Sequence, residues 1–344
     1  MNNFVLQEIG KNESFDPLTI CSDTPFTQAD FYGDWQKSLG RDVKIFVIFR
    51  EDKPVVYFQI IKYPLFGNKS YFYIPYGPVM GEFPEQLLLF LKIELKKIAM
   101  KNNAVFIRLD FTPPDHNNKE IIKKIFKLAP IYTYHSAYFQ PRVEWFLKLD
   151  KSEDELLMDM DENARYSVRL ARRKGINIEI VTSDFVKYFQ PFYDLMLGTS
   201  IRNGFSLHDK LYYENVFKNL KSENAYLSIA RSGEKILVID LIIQYGKVAN
   251  YVFGGSSNEH RNFAPTYLAI WTAICQAKKN GNTSFNFGGI STGKTYKGWD
   301  GLTMFKKKFG GFEVAHSDFF DVVAQPFWYC LYNFRKFIKR LMKF

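Results

Sequence analysis

Cysteine is scarce in this sequence of 344 residues. The three cysteines, Cys21, Cys275 and Cys330, are far apart and odd in number, which argues against a disulfide framework and against a CxxC metal or redox site. Long apolar runs are missing too: no window reaches the ~18 apolar residues of a membrane span, and the N-terminus has no basic segment followed by an apolar stretch. We therefore expect a protein of the reducing cytoplasm that is at most peripheral to a membrane.

Histidine and acidic residues are also in short supply. The five histidines do not recur at the spacing of metal ligands, so no metal site is expected. Lys and Arg number 46 against 36 for Asp and Glu, a net charge of +10. This excess predicts an anionic partner such as nucleic acid, a phosphorylated metabolite or an acidic membrane face, among which charge alone does not choose.

Apolar residues make up 47% of the chain, and the length exceeds that of one comfortable compact domain, so two domains are expected. Aromatic residues reach 17%. Their rings suit contacts to sugars, bases or a membrane interface as well as a core. Codon bias in a genome rich in A and T, which inflates Phe and Tyr, explains the same aromatic excess equally well.

Two stretches of the chain show the same order of predicted elements. The first has strands at 43–49, 55–61 and 70–74, a helix at 84–102 and a strand at 104–109. The second has strands at 227–230, 236–244 and 248–253, a helix at 264–279 and a strand at 284–287. The interval from Tyr73 to Asp110 equals that from Tyr251 to Gly288, 37 positions. We interpret the stretches as two copies of one β-β-β-α-β unit.

This element order is typical of GNAT-type (acyl-CoA N-acyltransferase-like) domains. We predict an α/β protein of two such domains, residues 1–145 with 312–344 and residues 146–311, with mixed sheets, flanking helices and no long coiled-coil arm. In GNAT domains, backbone amides at the helix start bind the pyrophosphate of acyl-CoA. Here Ala264 stands where glycine would be wanted and Pro265 lacks an N–H, so this loop is a poor CoA site.

Between the two copies, Ser152 and Glu155 have the spacing of a capping box and predict one helix that ends at Gly175. Its apolar stripe consists of Leu157, Met160, Ala164, Val168 and Ala171. An adjacent face carries four arginines: Arg165, Arg169, Arg172 and Arg173. Such a face attracts RNA phosphates, although a solvated helix face has the same composition.

Seven stretches, in order from about residue 26 to 330, resemble one known family. They are residues 31–40 (FYGDWQKSLG), 73–78 (YIPYGP), 106–110 (FIRLD), 165–175 (RYSVRLARRKG), 251–265 (YVFGGSSNEHRNFAP), 287–290 (FGGI) and 297–311 (KGWDGLTMFKKKFGG). The family is that of the FemABX peptidoglycan aminoacyl transferases, which have twin GNAT-like domains. The resemblance implies transfer of an amino acid from aminoacyl-tRNA, as co-substrate, to an amine of a lipid- or UDP-linked muramyl peptide in the cytoplasm, with no cofactor. We expect a monomer.

The resemblance also implies catalytic residues. Amide formation from an aminoacyl ester needs an amine nucleophile and stabilisation of a tetrahedral oxyanion, which a lysine ammonium can supply. The Phe305-Lys306 pair matches the family's motif at the active cleft, so Lys306 is the expected oxyanion-stabilising residue, beside Phe305. Asp110 is expected to orient or deprotonate the attacking amine. A solvated basic edge and a strand-end capping carboxylate are the alternatives for Lys306 and Asp110.

The acceptor's pyrophosphate calls for spaced cations. By motif, Lys37 and Arg202 match the family's substrate-binding positions, and Tyr251 is expected to contact sugar or peptide. Packing within a strand is the alternative for Tyr251. The predicted tRNA-binding residues are the four arginines between the copies.

The C-terminal segment, residues 327–344, has five basic residues and no acidic one. Its apolar residues Phe327, Leu331, Phe334, Ile338 and Leu341 recur at helical spacing. An aromatic and basic amphipathic helix is attracted to an anionic membrane surface, so the residues expected at the inner face of the cytoplasmic membrane include Phe327, Trp328, Arg335 and Lys339. Packing against the first domain is the alternative.

Two other functions remain open at this point. One is an acyl-CoA-dependent N-acyltransferase, against which the Ala264-Pro265 loop argues. The other is a non-catalytic protein that binds RNA or a membrane surface on a degenerate transferase fold.

Overall fold

A computed structural model describes residues 4–10, 13–111, 118–130, 139–292 and 299–342. The chain divides into two compact units, Met1–Arg142 with Ala315–Phe344, and Val143–Val314. Each predicted boundary lies three residues from the observed one: residue 145 is predicted where the first segment ends at 142, and residue 311 where the second unit ends at 314. The first unit is therefore built from both ends of the chain.

The first unit contains a mixed sheet of eight strands. The strands are β1 (Phe4–Glu8), β2 (Val43–Arg50), β3 (Lys53–Pro64), β4 (Ser70–Ile74), β5 (Val79–Met80), β6 (Ala104–Leu109), β7 (Lys127–Leu128) and β15 (Phe320–Val323). The helices in its described part are α1 (Asp30–Ser38), α2 (Glu85–Lys101), α3 (Lys119–Ile125) and α10 (Pro326–Leu341). The sheet order is β1-β2-β3-β4-β6-β15-β7, with β5 beside β3.

The second unit contains a sheet of seven strands. They are β8 (Val143–Lys148), β9 (Asn177–Val181), β10 (Ala225–Ser232), β11 (Lys235–Tyr245), β12 (Val248–Ser256), β13 (Ser284–Gly289) and β14 (Phe312–Ala315). Its described helices are α4 (Glu153–Asp159), α5 (Glu162–Arg173), α6 (Phe189–Asn203), α7 (Lys210–Asn219), α8 (Pro265–Lys279) and α9 (Asp300–Lys307). The sheet order is β14-β8-β13-β12-β11-β10-β9.

The predicted β-β-β-α-β order is present in both units: β2-β3-β4-α2-β6 in the first and β10-β11-β12-α8-β13 in the second. In each copy the third and last strands pair in parallel, β4 with β6 and β12 with β13. The copies differ in how long this pairing lasts. In the first it continues to Ile74 and Leu109, whereas in the second it stops at Asn250 and Asn286, before either strand ends.

The helix predicted between the copies is two helices, α4 and α5. Met160 adopts an extended conformation and ends α4, and the Asp161 side chain then accepts a hydrogen bond from the Asn163 N–H to cap α5. The expectation of one helix is wrong because the apolar spacing continues through the break: Met160 and Ala164 are buried in the same core on either side of it. The capping box of Ser152 and Glu155 is present.

The predicted C-terminal helix is α10, which packs on β6 through the buried Tyr329 and Tyr332. None of the helices in the described residues is long and apolar enough to cross a membrane. Lys297 and Gly298 of the predicted catalytic motif, and Lys343 and Phe344 of the predicted membrane helix, lie outside the described residues.

Candidate functional site

Lys306 is a buried lysine of the second unit, with 5% of its surface exposed. It lies on the buried face of α9 with Thr303, one turn earlier. The Lys306 Nζ donates a hydrogen bond of 2.6 Å to the Gly289 carbonyl, and the Thr303 Oγ1 accepts one of 2.8 Å from the Ser291 N–H. The two side chains therefore attach α9 to the end of β13, beyond the point where β12 and β13 stop pairing.

The surroundings of Lys306 control its charge. Burial lowers the pKa of Lys306 to about 8, partly opposed by the negative charge of Glu144, which lies opposite Gly289 on β8. Gly288 adopts a left-handed φ of 76° beside the amine, and a Cβ there would lie in van der Waals contact with the Lys306 Nζ, at 3.7 Å, and with the Tyr251 carbonyl oxygen, at 3.5 Å. An amine with this pKa is charged at neutral pH but loses its proton only slightly above neutral pH. Such a lowered pKa is typical of a functional lysine.

Phe305 contributes to packing against the core of the second unit. Its ring makes edge contacts with Tyr267, at the start of α8, and with Phe309, at centroid distances of 5.1 and 5.4 Å. It therefore fixes α9 against α8 and helps to hold Lys306 in place.

Tyr251 lies on β12 close to Lys306, because its carbonyl oxygen and the Lys306 amine both lie beside Gly288. Its hydroxyl donates a hydrogen bond of 3.2 Å to the Asp240 Oδ1 on β11. Gly254 makes this contact possible, since a Cβ there would overlap both the tyrosine hydroxyl and the carboxylate. The other oxygen of Asp240, Oδ2, is buried and has no hydrogen-bond partner among the described residues.

Replacing Asp240 with asparagine should make the stability less dependent on pH. Burial raises the pKa of Asp240 to about 8 from 3.8, so between these values the folded chain holds a proton that the unfolded chain has lost. The free energy of unfolding therefore falls as pH rises through this window. Asparagine does not ionise, so the variant should gain ~1–3 kcal/mol relative to the parent between about pH 5 and pH 8, measured by urea unfolding. A difference that stays constant over this range would contradict a protonated Asp240.

Arg202 lies near the end of α6 and is partly buried. Its guanidinium donates to the Ser256 Oγ at 2.8 Å and to the Ser256 carbonyl at 3.2 Å, at the end of β12. Burial, and after it the positive charge of Arg261, lowers the pKa of Arg202. Two arginines are thus close enough to repel each other beside the end of β12, an arrangement that suits an anion.

Asp110 follows β6 in the first unit and is buried. Its Oδ2 accepts a hydrogen bond of 2.9 Å from the Tyr73 hydroxyl, and its Oδ1 accepts one of 2.7 Å from the Tyr76 N–H. Burial raises the pKa of Asp110 well above its ordinary value, although the bonds from Tyr73 and Tyr76 oppose the shift. These two bonds hold the YIPYGP turn onto the strand end.

Lys37 lies at the exposed end of α1 in the first unit and forms an ion pair of 3.0 Å with Asp34. Both side chains are about half exposed or more, so the pair is worth little to stability. The lysine is free to exchange this partner for a stronger anion.

The four arginines of α5 do not have equivalent surroundings. Arg165 donates hydrogen bonds of 2.6 and 2.5 Å to the carbonyls of Met158 and Met160, at the end of α4. The other three line one shallow depression of about 500 Å³ with the exposed ring of Tyr166: Arg169, Arg172 and Arg173. This depression combines three cations with one aromatic face.

The profile of the FemAB family matches residues 13–233 and 229–336 of the chain. The chain belongs to the FemAB family.

Among characterised relatives of this FemAB protein is the Lipid II:glycine glycyltransferase of Staphylococcus aureus strain USA300, which is 24% identical over 331 residues, covering 74% of this chain and 77% of that protein. The crystal structure of FemX superimposes with a TM-score of 0.80 at 21% identity, covering 94% of this chain and 99% of that one. A tandem GNAT protein from the clavulanic acid biosynthesis pathway has a TM-score of 0.52 at 10% identity, covering 93% of this chain and 99% of that one.

These relationships confirm three predictions for the FemAB protein: the FemABX resemblance, the fold of two GNAT-like domains, with no long coiled-coil arm among the described residues, and the classification as an aminoacyl transferase enzyme. The alternative of a non-catalytic binding protein is therefore set aside.

Residues 288–295 (GGISTGKT) of the FemAB protein match two further catalytic patterns, GxSxG and the P-loop GxxxxGK[ST]. Both patterns require a strand that turns directly into a helix. Here β13 ends at Gly289, Ser291 is buried, and the next described helix, α9, begins only at Asp300. Residues 293–295 lie outside the described ranges. We assign neither a serine nucleophile nor a nucleotide site to this segment.

Sequence reasoning missed Asp240 and Arg261. Asp240 is the single acidic residue within the apolar run of β11, and Arg261 lies in the loop before α8. An ionisable residue inside an otherwise apolar strand was the available signal for Asp240, because such a residue is rarely buried without a partner.

Proposed function

We propose that this protein transfers an amino acid from aminoacyl-tRNA to the amine of a muramyl peptide, lipid-linked or UDP-linked, in the formation of the peptidoglycan interpeptide bridge. The relationship to a lipid II glycyltransferase supports aminoacyl transfer in peptidoglycan synthesis. The observation that carries the proposal is the buried Lys306, held where β12 and β13 diverge and charged at neutral pH.

In the proposed reaction, the neutral amine of the peptide attacks the carbonyl carbon of the aminoacyl ester. A C–N bond forms, and the carbonyl oxygen becomes an oxyanion that the Lys306 ammonium stabilises. The C–O bond to the tRNA ribose then breaks, and the ribose oxygen takes the proton that the amine gives up. Asp110, whose pKa is raised by burial, is the proposed group that orients the amine or accepts this proton.

The proposed acceptor contacts are Lys37, Arg202 and Tyr251. Arg202 and its neighbour Arg261 supply positive charge at the end of β12, which suits a pyrophosphate. Lys37 is exposed at the end of α1, where it can bind a phosphate as a point charge. Tyr251 presents a ring beside Gly254, which suits a sugar or peptide.

The start of α8 argues against acyl-CoA as the donor. Ala264 adopts a left-handed conformation with a φ of 56°, the backbone that glycine favours in a phosphate-binding loop. Its Cβ remains, and Pro265 follows as the first helical residue without an N–H. The loop thus keeps a Cβ where a phosphate cradle needs glycine, and it lacks the N–H donor of residue 265.

Removing the cations of the α5 depression should weaken tRNA binding. Each of Arg169→Gln, Arg172→Gln and Arg173→Gln is expected to raise the Kd for charged tRNA several-fold, and to reduce the slope of log Kd against log salt by about 1. Filter binding over a range of salt concentrations measures both. Lys96→Gln, which removes an exposed cation of α2 in the first unit, is the control. Equal effects of the control and the α5 variants would contradict a tRNA site on α5.

One experiment tests the proposed reaction. The protein is incubated with a pool of charged tRNAs and, in separate reactions, with lipid-linked and UDP-linked muramyl peptides, and the product masses are measured. We expect a mass gain of one or more aminoacyl residues that requires charged tRNA, and binding of acyl-CoA to be absent by calorimetry. No transfer from any tRNA of the pool by the folded protein would contradict the proposal.

We further propose that the protein acts as a monomer in the cytoplasm.

A further inference from the structure

We infer that α10 docks the protein onto a bilayer surface rich in anionic lipid, with its outward apolar stripe in the acyl-chain boundary. This inference is independent of the proposed reaction, because vesicle binding requires neither tRNA nor acceptor. The stripe, which we call the α10 stripe, consists of Phe327, Phe334, Ile338, Leu341 and Met342.

The α10 stripe is the face that α10 turns away from the protein. At 100° per residue, its five side chains fall within an arc of about 100°. The buried residues of the helix, Tyr329 and Tyr332, lie on the opposite side, against β6. Phe327 and Met342, at the two ends of the stripe, are 75% and 81% exposed. The exposed apolar residues thus recur from the first turn of α10 to its C-terminal end rather than forming a single misplaced side chain.

The predicted membrane residues are not all on this face. Trp328 packs over Gly67 and Phe66, and Lys69 lies 5.2 Å from the centre of its ring. Trp328 therefore attaches α10 to the turn between β3 and β4. Arg335 stacks over Phe66 at 4.2 Å, beside the stripe, so both residues hold the helix in an orientation that exposes the stripe.

The charge of α10 favours an anionic surface. The helix contains four cations and no acidic residue: Arg335, Lys336, Lys339 and Arg340. They lie outside the arc of the stripe, and Lys339 and Arg340 are exposed in the last turns. An amphipathic helix with an apolar face and flanking cations binds in the plane of a membrane, driven by apolar burial and by attraction to anionic lipid.

A bilayer explains this combination better than a protein groove or an RNA. The exposed apolar residues extend over a 16-residue helix, in one stripe that matches the flat apolar layer of a membrane. RNA would use the cations but would leave the apolar stripe in water. The helix does not qualify as a membrane span, so it lies along the surface.

The test is co-sedimentation of the full chain with vesicles of phosphatidylcholine, with or without phosphatidylglycerol. We expect binding to the mixed vesicles that weakens with salt. The double variant Phe334→Asp/Ile338→Asp should lower the partition constant at least ~10-fold. The matched control, Leu89→Asp/Ile93→Asp, places the same substitutions at exposed apolar positions of α2 in the same unit and should bind as the parent does.

Three further measurements make the result decisive. Thermal unfolding must show that the two aspartate double variants are folded, and a third double variant, Lys339→Glu/Arg340→Glu, should reduce binding to the mixed vesicles without changing the unfolding midpoint. Transfer to a UDP-linked acceptor, if present in the parent, should persist in Phe334→Asp/Ile338→Asp, which separates membrane docking from catalysis. The inference is overturned if the parent does not bind the mixed vesicles at low salt, if the α10 and α2 aspartate variants bind equally, or if the α10 variants lose tRNA affinity instead of vesicle binding.

Discussion

Replacing Lys306 with methionine should lower kcat for aminoacyl transfer by about 10²–10³-fold, the cost of removing one donor from an oxyanion site. Methionine keeps an unbranched stem of similar length but lacks the ammonium. Single-turnover transfer from charged tRNA to the muramyl peptide measures the effect. Lys307→Met is the matched control, because Lys307 is the next residue of α9 and its side chain is exposed. Equal activity of the two variants would rule out the proposed role of Lys306.

The methionine variant should remain folded, so that loss of activity reports on chemistry. The pKa of Lys306 in the folded chain, about 8, lies below the 10.5 of a free lysine. Between these values the unfolded chain binds this proton more tightly than the folded chain does. The ionised side chain therefore lowers the free energy of unfolding below pH 8, and this cost diminishes as pH rises toward 10.5. Methionine removes the cost, and the free energy of unfolding at neutral pH should not fall.

The pH dependence distinguishes an ammonium that stabilises charge from one that only fills space. If the charged form of Lys306 is required, kcat of the parent should fall as pH rises past about 8. Lys306→Arg keeps the cation and does not lose its proton in this range, so its kcat, although lower, should not show that fall. A parent enzyme whose kcat continues to rise above this pH would contradict the role.

Much of the fold follows from local patterns in the sequence. The strands predicted at 70–74 and 104–109 have the bounds observed for β4 and β6, because short β-branched and aromatic runs between turn residues leave little ambiguity. The break between α4 and α5 was missed for the opposite reason: the apolar spacing continues across Met160, and only the backbone there departs from the helix. Periodicity reports which face is buried, not whether the backbone is continuous.

The site was predictable only in part. Motif resemblance drew attention to Lys306 and Asp110 as candidates, but it did not reveal the burial that lowers the pKa of Lys306 and raises the pKa of Asp110, since burial depends on residues far away in the chain. The FIRLD motif also drew attention to Asp110 and away from Arg108, two positions earlier. Arg108 contacts a residue 213 positions later, a pairing that no local pattern reveals.

Replacing Asp321 with asparagine should destabilise the first unit by about 3–5 kcal/mol, the cost of leaving a buried charge without its partner. Arg108 and Asp321 face each other across β6 and β15 and are both fully buried at the side chain. The Arg108 Nε donates to the Asp321 Oδ1 at 2.8 Å and one terminal nitrogen donates to the Oδ2 at 2.7 Å. The Tyr329 hydroxyl of α10 donates a third bond of 2.7 Å to the same Oδ2.

The interaction matters because of the elements it joins. β15 and α10 come from the C-terminal end of the chain, whereas β6 belongs to the first β-β-β-α-β copy. Tyr329→Phe removes only the hydroxyl and its hydrogen bond to Asp321, so it should lower the free energy of unfolding by only about 1–3 kcal/mol. Lys124→Met breaks the exposed ion pair with Glu85 and, as the control, should cost at most about 1 kcal/mol.

A double variant separates the ion pair from the packing around it. Arg108→Met/Asp321→Leu removes both charges and keeps apolar volume in a site lined by Phe106, Phe139 and Phe319. Since an apolar replacement of a buried pair is often neutral, the double variant should be more stable than Asp321→Asn alone. Urea unfolding of each variant measures the differences. If Asp321→Asn costs no more than Lys124→Met, the buried pair does not hold the C-terminal elements on the sheet.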